Sequence, residues 1–469
     1  MPTLFIQQSI AAIALAKDLN QAVHMSRFLG ELLWKNSTGQ YELIALENAL
    51  IEKYAAQFNI DIHSEKHTNF LHVLTKAYDT GGHTRIVERL INSDSLQDSA
   101  VLVTKNSGPH SLKKLSLAKN GYTQIDEQAD SHTKIQAILA VLAHCQTAIL
   151  HIHPHDIEAI IAVGIAKKYF SIDVLMYNHA DHVFSYGYGV ADRVLEISHF
   201  GWSLREQRQS GKKSVFVGIP IKLPEQTATT VAGTDNVYLT AAGSAYKFKP
   251  AQGYSFPDFL STLTKKIDIP FILIGPKPWI NWWWWPALLQ KKLTTRRKIK
   301  FHPQMPHEQY LHYLRHATAF IDSFPMTGGT AFPEILSMGV PCFGVLTGAH
   351  GYTPADQLKS VSVEQLTNDV VTYLKQKQRP GINSAQVINQ VYEVHDTEQV
   401  AKRIIKANDA KAPCLPPLWD NPAAIDSAFY EKIWQEKKTF SFPLHTLPSI
   451  QILRHFIPYW CNRRKTTVD

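Results

Sequence analysis

The 469-residue sequence contains only four cysteines, and they lie far apart, at Cys145, Cys342, Cys414 and Cys461. No pair has the spacing of a metal-binding knuckle, so we expect reduced thiols and no structural zinc. The chain lacks any run of about 18 apolar residues, which argues against a transmembrane helix. Its first residues lack the basic segment and the cleavage site of a signal peptide, and we therefore expect a cytoplasmic protein.

The charge balance is weakly basic. Lys and Arg number 48 against 40 Asp and Glu, giving a net charge of +8. This excess suits an anionic partner such as a sugar nucleotide or an acidic lipid. Because the basic residues do not line one recognition helix, we do not expect nucleic-acid binding. With 45% hydrophobic residues, a chain of this length can build more than one core, and two domains with a tail are expected.

Short β-rich runs alternate with helical windows along most of the chain. The first 66 residues show helical spacing of apolar positions, whereas β-rich runs begin near Asn69 and a second series follows a polar linker at 222–236. This alternation predicts an α/β protein with parallel sheets covered by helices. We predict four parts: a helical extension (1–66), two tandem Rossmann-like domains facing a cleft (67–230 and 231–415), and C-terminal crossover helices with a basic tail (416–469).

The most informative segment is IDSFPMTGGTAFPEILSMGVPCFGV, at 321–345. A hydrophobic run is followed by a Gly328-Gly329-Thr330 turn, and this turn opens a helix that carries Glu334. Such a turn lets backbone N–H groups approach phosphate oxygens, and Glu334 is placed to reach ribose hydroxyls. The alternative is an ordinary strand-to-helix turn in which the glycines only permit the backbone path.

Two further loops follow strands of the second series. Lys247 comes after the run VYLTAAGSAY, where its ammonium group can neutralise a diphosphate or simply face solvent. The turn FHPQMPHEQY, at 301–310, precedes a helix. It can contact a nucleobase, with Tyr310 against the ring, or it can serve only to cap the helix.

This order of motifs resembles the donor-binding half of GT-B glycosyltransferases, and in particular the O-GlcNAc transferase-like group with its bacterial HMW1C-type members. The resemblance covers about residues 236–350. It implies that Lys247 holds the β-phosphate of a nucleotide sugar and that Gly329 and Thr330 hold the diphosphate. It also implies a ribose contact from Glu334 and base contacts from three residues, Met305, His307 and Tyr310. No tetratricopeptide repeats precede this half, which puts a protein acceptor in doubt.

Loops rich in histidine follow strands of the first series. His83 lies in a loop similar to the glycine-rich loop that faces the donor in many GT-B enzymes. There it can take a proton from an acceptor hydroxyl, or only cap the helix or bind phosphate. Asp181 is the second candidate base. We expect acceptor binding by four residues of the following loops, His153, Asp156, His179 and His182.

A metal site is the alternative use of these histidines, but the chain has neither an HExxH pattern nor an Asp-x-Asp motif. We therefore expect no cofactor and a leaving group stabilised without metal. The sequence predicts an inverting glycosyltransferase that moves sugar from a UDP-sugar to a hydroxyl of a bacterial surface glycan or its lipid-linked precursor. A nucleotide-sugar epimerase of the same fold and a protein O- or N-glycosyltransferase are the alternatives.

Tryptophan and basic residues occur together twice. WINWWWW, at 279–285, precedes six Lys and Arg between 291 and 300, and the segment 450–465 reads IQILRHFIPYWCNRRK. This composition is typical of a protein bound peripherally to a membrane, here the cytoplasmic face of the inner membrane. Four consecutive tryptophans cannot all face one way on a helix, so internal packing of some is an equal alternative. For the tail we expect a helix that crosses back to the first domain.

Overall fold

The computed structural model describes residues 2–60, 65–79, 82–224, 237–285, 299–305, 307–377, 384–409 and 412–437, with single residues at 289 and 441. The described part of the chain contains no helix that is long and apolar enough to cross a bilayer.

Three helices form the N-terminal extension: Pro2–Ala14, Leu19–Lys35 and Ile44–Tyr54. Asp18 caps the second of them, because its side chain accepts a hydrogen bond from the N–H of Gln21 at 2.8 Å. Their buried residues share one core with the first sheet. The extension is therefore an integral layer of the first domain.

The first sheet has seven parallel strands in the order β3-β2-β1-β4-β5-β6-β7. The strands are β1 (Thr68–Leu74), β2 (Ser99–Val103), β3 (Tyr122–Gln124), β4 (Cys145–His151), β5 (Asp173–Tyr177), β6 (Arg193–Glu196) and β7 (Ser214–Phe216). The helices between them are Gly82–Ile91, Pro109–Leu115, Ser131–Leu142, Ile157–Tyr169 and His199–Ser203. Neighbouring residues of β4 enter cores on opposite faces, Leu150 on the side of the N-terminal helices and Ile149 on the other. This two-sided burial explains the continuous apolar runs in the sequence.

The second sheet has five parallel strands in the order β10-β9-β8-β11-β12. The strands are β8 (Leu239–Ala242), β9 (Phe271–Ile274), β10 (Ile299–His302), β11 (Ala319–Ile321) and β12 (Cys342–Phe343). The helices are Phe256–Lys266, His307–Arg315, Ala331–Ser337, Val363–Gln376 and Ser384–His395. The β-rich runs predicted from the sequence account for every described strand except β3. That strand escaped prediction because Tyr122–Gln124 is a three-residue edge strand without an apolar run.

The chain returns to the first domain after the second sheet. The helix Thr397–Ala407 packs on strands β5, β6 and β7. The N–H of Phe216 then donates to the carbonyl of Leu415 at 2.9 Å. The helix Phe429–Lys437 follows and shares a core with Phe200 of the first domain. The crossover predicted from the sequence is confirmed for these residues, and it begins before residue 416. The basic end of the tail lies outside the described residues.

Both sheets have a point where the strand order reverses, between β1 and β4 in the first and between β8 and β11 in the second. At such a point the chain connections leave on opposite sides, and a crevice opens beyond the carboxyl ends of the two strands. The loops that follow these four strands are therefore the places to look for a ligand site.

Candidate functional site

The loops after β8 and β11 meet at the reversal point of the second sheet. The Nζ of Lys247 donates to the carbonyl oxygen of Thr327 at 2.9 Å, and the N–H of Met326 faces the carbonyl of Lys247 at 3.4 Å. Burial lowers the pKa of Lys247, while the nearby Asp322 carboxylate opposes that shift. The structure thus brings Lys247 to Thr327, directly before the Gly-Gly-Thr turn.

In the Gly-Gly-Thr loop one backbone N–H group has a hydrogen-bond acceptor, and two are open, that is, without an acceptor among the described residues. The N–H of Gly328 donates to Asp322 Oδ1 at 2.9 Å, so this group already has a partner. Gly329 adopts φ +65°, a left-handed conformation suited to glycine, and the space beside its Cα is open. Within the described part of the chain, no acceptor engages the N–H of Gly329 or Thr330. Because the helix that follows has only seven residues, Lys247 is the main source of positive charge here.

A buried network of one lysine and two aspartates lies next to this loop. The Nζ of Lys359 lies 2.8 Å from Asp322 Oδ2 and 2.7 Å from Asp356 Oδ1. Both carboxylates raise the pKa of Lys359, which stays charged despite burial. Asp356 also accepts from the N–H of Gly351 at 2.7 Å, and the carbonyl of Gly351 accepts from the N–H of His199 in the first domain at 2.8 Å. One network therefore connects the Gly-Gly-Thr loop to the first domain. Sequence reasoning missed Lys359, which no motif marks.

Glu334 forms an ion pair with a residue of the first domain. Its Oε1 lies 3.4 Å from an Nη of Arg89, which belongs to the helix Gly82–Ile91 of the first domain. Burial raises the pKa of Glu334, and the charges of Arg89 and Arg85 oppose that shift. For Glu334 to bind a ribose as predicted, its carboxylate would have to leave the Arg89 guanidinium and accept hydrogen bonds from the ribose hydroxyls. The two arginines were also missed. Their spacing of four residues on a helix that follows the glycine-rich loop was the available signal.

The residues predicted to contact a base lie beside Glu334. Met305 and Tyr310 pack against the same core as the Glu334 helix. Burial raises the pKa of the Tyr310 hydroxyl, with the Glu334 carboxylate as the next cause. His307 begins the helix His307–Arg315, but its side chain lies outside the described residues, as does Pro306.

Histidine rings gather at the reversal point of the first sheet. The ring of His83, in the first turn of its helix, stacks on His179 with centroids 4.1 Å apart and lies 6.3 Å from His153. Burial lowers the pKa of His83 to about 4, and the neighbouring His153 adds to this shift. The imidazole is therefore neutral at neutral pH, with a lone pair available to a proton. The structure brings together three of the predicted residues.

A hydrogen-bonded chain of imidazoles lies behind His83. His72 Nδ1 lies 3.0 Å from His151 Nε2, and His151 Nδ1 lies 2.8 Å from His179 Nε2. Each neutral ring can donate one hydrogen bond and accept one, so three neutral rings with matching tautomers satisfy both contacts. Burial lowers the pKa of His72 to about 3, and it is the main cause of the lowered pKa of His151 and of His179. These hydrogen bonds from His72 through His151 fix the orientation of the His179 ring, on which His83 stacks.

Asp156 holds the two loops of this reversal point together. Its Oδ1 accepts from the N–H of Ala159 at 3.2 Å and so caps the helix Ile157–Tyr169. Its Oδ2 accepts from the hydroxyls of Thr75 at 2.5 Å and Thr104 at 3.2 Å. The hydroxyl of Thr75 in turn accepts from the N–H of His153 at 2.8 Å. These contacts favour a positioning role for Asp156 over contact with an acceptor.

Asp181 and His182 lie at the joint between the domains. The oxygens of Asp181 accept from Ser198 and, at 3.0 Å, from the hydroxyl of Tyr352 in the second domain. His182 Nδ1 also lies 3.0 Å from Asp181, and its ring packs on Tyr430 with centroids 4.4 Å apart. Because both oxygens of Asp181 are occupied, His83 is the better placed of the two candidate bases.

No group of three or more His, Cys, Asp or Glu in the described ranges has an arrangement that could hold a metal ion. The arrangement that remains is an ammonium group beside open amides at the reversal point of the second sheet, and a cluster of neutral imidazoles at the reversal point of the first. Such a pair can stabilise a departing anion on one side and accept a proton on the other.

No protein-family model matches this chain, and no curated protein matches it in sequence. Solved structures do match. HepE of Anabaena, in complex with UDP and glucose, superposes with a TM-score of 0.53 at 11% identity, covering 72% of this chain and 99% of that chain. A glycosyltransferase from Rickettsia africae gives 0.53 at 11% identity, covering 73% of this chain and 98% of that chain. A Thermobaculum terrenum O-GlcNAc transferase superposes with a TM-score of 0.49 at 11% sequence identity, covering 86% of this chain and 81% of that chain. The first two matches show that the chain has the GT-B fold.

Proposed function

We propose that this protein is a glycosyltransferase that takes its sugar from a UDP-sugar. The observation that carries the proposal is the contact between Lys247 and the loop that ends in Gly329 and Thr330, at the reversal point of the second sheet. The GT-B fold supports it, and HepE, which shares that fold, is described in complex with UDP and with UDP-glucose. In this proposal Lys247 faces the β-phosphate, and the open amides of Gly329 and Thr330 bind diphosphate oxygens.

The nucleoside would lie along the helix His307–Arg315. Tyr310, Met305 and His307 would contact the base, and Glu334 would accept hydrogen bonds from the ribose hydroxyls. Since Glu334 is paired with Arg89, nucleotide binding at Glu334 would loosen one contact between the domains. Donor binding and the relative position of the domains are thereby coupled.

The reaction would be a direct displacement at the anomeric carbon. The acceptor oxygen forms the new bond, the bond to the β-phosphate oxygen breaks, and configuration is inverted. His83 would take the acceptor proton, because its neutral ring has a free lone pair at neutral pH. The departing UDP would leave its charge beside Lys247 without a metal ion. A nearby dianionic donor would also raise the pKa of His83 toward the range in which a base works best.

The acceptor would enter from the first domain, where His153 and His179 flank His83. Neutral imidazoles can both donate to and accept from sugar hydroxyls. We propose a hydroxyl of a surface glycan or of its lipid-linked precursor, reached at the cytoplasmic face of the inner membrane.

The test is a thermal-shift screen against UDP, GDP, ADP and CMP in the presence of a chelator, followed by incubation with the UDP-sugars that match the nucleotide. Selective stabilisation by UDP, with slow release of UDP and unchanged sugar, supports a glycosyltransferase. Release of an epimerised sugar without acceptor identifies the epimerase alternative. Absence of stabilisation by every nucleotide overturns the donor site.

A further inference from the structure

The segment between β9 and β10 leaves the second sheet at the same edge as Lys247. The N–H of Gly275, directly after β9, donates to the carbonyl of His302 at 2.9 Å, and a Cβ on Gly275 would lie 2.1 Å from the carbonyl oxygen of Gly243. Residues 277–285, which follow, are called the Trp loop below. They lie beside the loop that carries Lys247, since the Nζ of Lys249 lies 5.5 Å from the ring centre of Trp283.

The Trp loop is fixed by one buried ring. Trp284 is fully buried, with its ring centroid 5.4 Å from Phe301 and 5.8 Å from Phe248. Asn281 Oδ1 accepts from the N–H of Lys277 at 3.0 Å and closes the turn that precedes it. These contacts hold Trp284 in the core of the second domain, and Trp283 packs partly buried against the same core.

Four large apolar side chains of the loop face solvent. Trp279 is 80% exposed, Ile280 72%, Trp282 69% and Trp285 42%. The rings of Trp279 and Trp285 meet edge to face at 6.1 Å. Of the five tryptophans of this loop, Trp284 is buried, Trp283 packs half-buried against the same core, and Trp279, Trp282 and Trp285 are exposed. Exposed apolar clusters of this kind mark interaction surfaces.

The only charged residues in the sequence on either side of the Trp loop are positively charged. Residues 269–307 contain no Asp or Glu and seven Lys and Arg: Lys277, Lys291, Lys292, Arg296, Arg297, Lys298 and Lys300. Seven cations in this stretch nearly equal the net charge of +8 carried by the whole chain. Exposed tryptophan and an aliphatic tip, in a sequence rich in cations, complement an anionic bilayer.

A glycan is the other partner that binds exposed tryptophans. Glycan recognition also uses side chains that hydrogen-bond sugar hydroxyls, such as carboxylates, amides or neutral imidazoles, and the Trp loop contains no histidine. The stretch has no carboxylate, and Asn281, the only amide of the Trp loop, has its oxygen bonded to the N–H of Lys277. The exposed tip at Ile280 offers a sugar no polar contact. The chemistry of the loop therefore favours lipid.

We propose that the Trp loop inserts into the headgroup region of an anionic phospholipid bilayer and attaches the second domain to that surface. This surface goes beyond the transfer reaction and does not depend on it, because nucleotide binding involves none of the exposed residues.

The test uses the full-length protein and sedimentation with vesicles of phosphatidylcholine, with and without phosphatidylglycerol. We expect binding that requires phosphatidylglycerol, weakens with salt and shifts tryptophan emission to the blue. The combined variant Trp279→Ser, Ile280→Ser, Trp282→Ser should lose at least about tenfold in vesicle affinity. The matched control is Leu117→Ser with Val361→Ser, at apolar positions that are 73% and 70% exposed. It should bind like the wild type.

Unfolding temperature and UDP binding are measured on both variants to confirm that each is folded and that the donor site is separate. The proposal is overturned if the wild type ignores anionic vesicles or if the Trp-loop variant binds them like the control. It is also overturned if the variant loses affinity for a soluble glucan oligomer while its vesicle binding stays intact.

Discussion

The two sheets have the same strand order around their reversal points, yet the chemistry placed there differs. In the second sheet the crevice holds Lys247 above the buried ion network of Lys359 with Asp322 and Asp356. In the first sheet it holds imidazoles whose pKa values are lowered by burial. Fixed charge suits an anionic ligand, whereas neutral rings suit hydroxyl groups and a mobile proton. In the proposed function, this topology, used twice, would separate the donor from the acceptor.

The largest expected effect comes from breaking the ion network. Lys359→Met leaves two buried carboxylates without their cation, and we expect the free energy of unfolding to fall by about 3–5 kcal/mol. The matched control is Lys375→Met, at an exposed position on the helix Val363–Gln376. Urea unfolding of both variants measures the difference. Equal stability of the two would show that the network does not support the second domain.

Removing the cation of the donor crevice should affect turnover next. Lys247→Ala takes away the charge proposed to stabilise the leaving diphosphate, and we expect UDP release from a UDP-sugar to slow by ~10²–10³-fold. Lys249→Ala is the control, because Lys249 lies two residues further on and faces the ring of Trp283 at 5.5 Å. Matching rates for the two variants would remove Lys247 from the mechanism.

On the imidazole side, His83→Gln should slow transfer by at least ~10²-fold while leaving UDP affinity unchanged, because the ring acts on the proton and not on the nucleotide. His110→Gln, on an exposed stretch of the first domain, is the control. The measurement separates the rate constant of transfer from the dissociation constant of UDP. A loss of UDP affinity in His83→Gln would assign the ring to phosphate binding.

Low pH should destabilise the histidine cluster of the first sheet. The pKa of His72 is lowered from 6.5 to about 3 in the folded protein. Between these values the unfolded chain binds a proton that the folded chain excludes, so stability is lost as pH falls from 6.5 toward 3. Replacing the ring in His72→Gln should flatten this slope by up to about 1.4 kcal/mol per pH unit. Unfolding series at several pH values test this, and an unchanged slope contradicts it.

The smallest effect concerns the contact between the domains. Arg89→Ala frees Glu334 from an ion pair that UDP would otherwise have to displace, so we expect UDP to bind roughly two- to fivefold more tightly. Arg89→Lys keeps the charge and is the control. Calorimetric titration measures both, and weaker binding by Arg89→Ala would show that Arg89 itself contacts the nucleotide.

The strands, the tandem domains and the Gly-Gly-Thr loop were predictable because parallel sheets buried on both faces leave apolar runs and the loop glycines are local signals. Lys247 was predictable because it follows a strand at the edge where ligands bind. Lys359, Arg89 and the His72–His151–His179 contacts were not. Each joins parts of the chain distant in sequence, and only the packing of sheets and domains brings them together.

The most direct test of the account is calorimetric titration of UDP into the wild type, Lys247→Ala and Lys249→Ala, all with a chelator present. The account predicts metal-independent binding that is lost in Lys247→Ala and retained in Lys249→Ala. Binding of equal strength in all three proteins, or in none, would contradict a donor site at the reversal point of the second sheet.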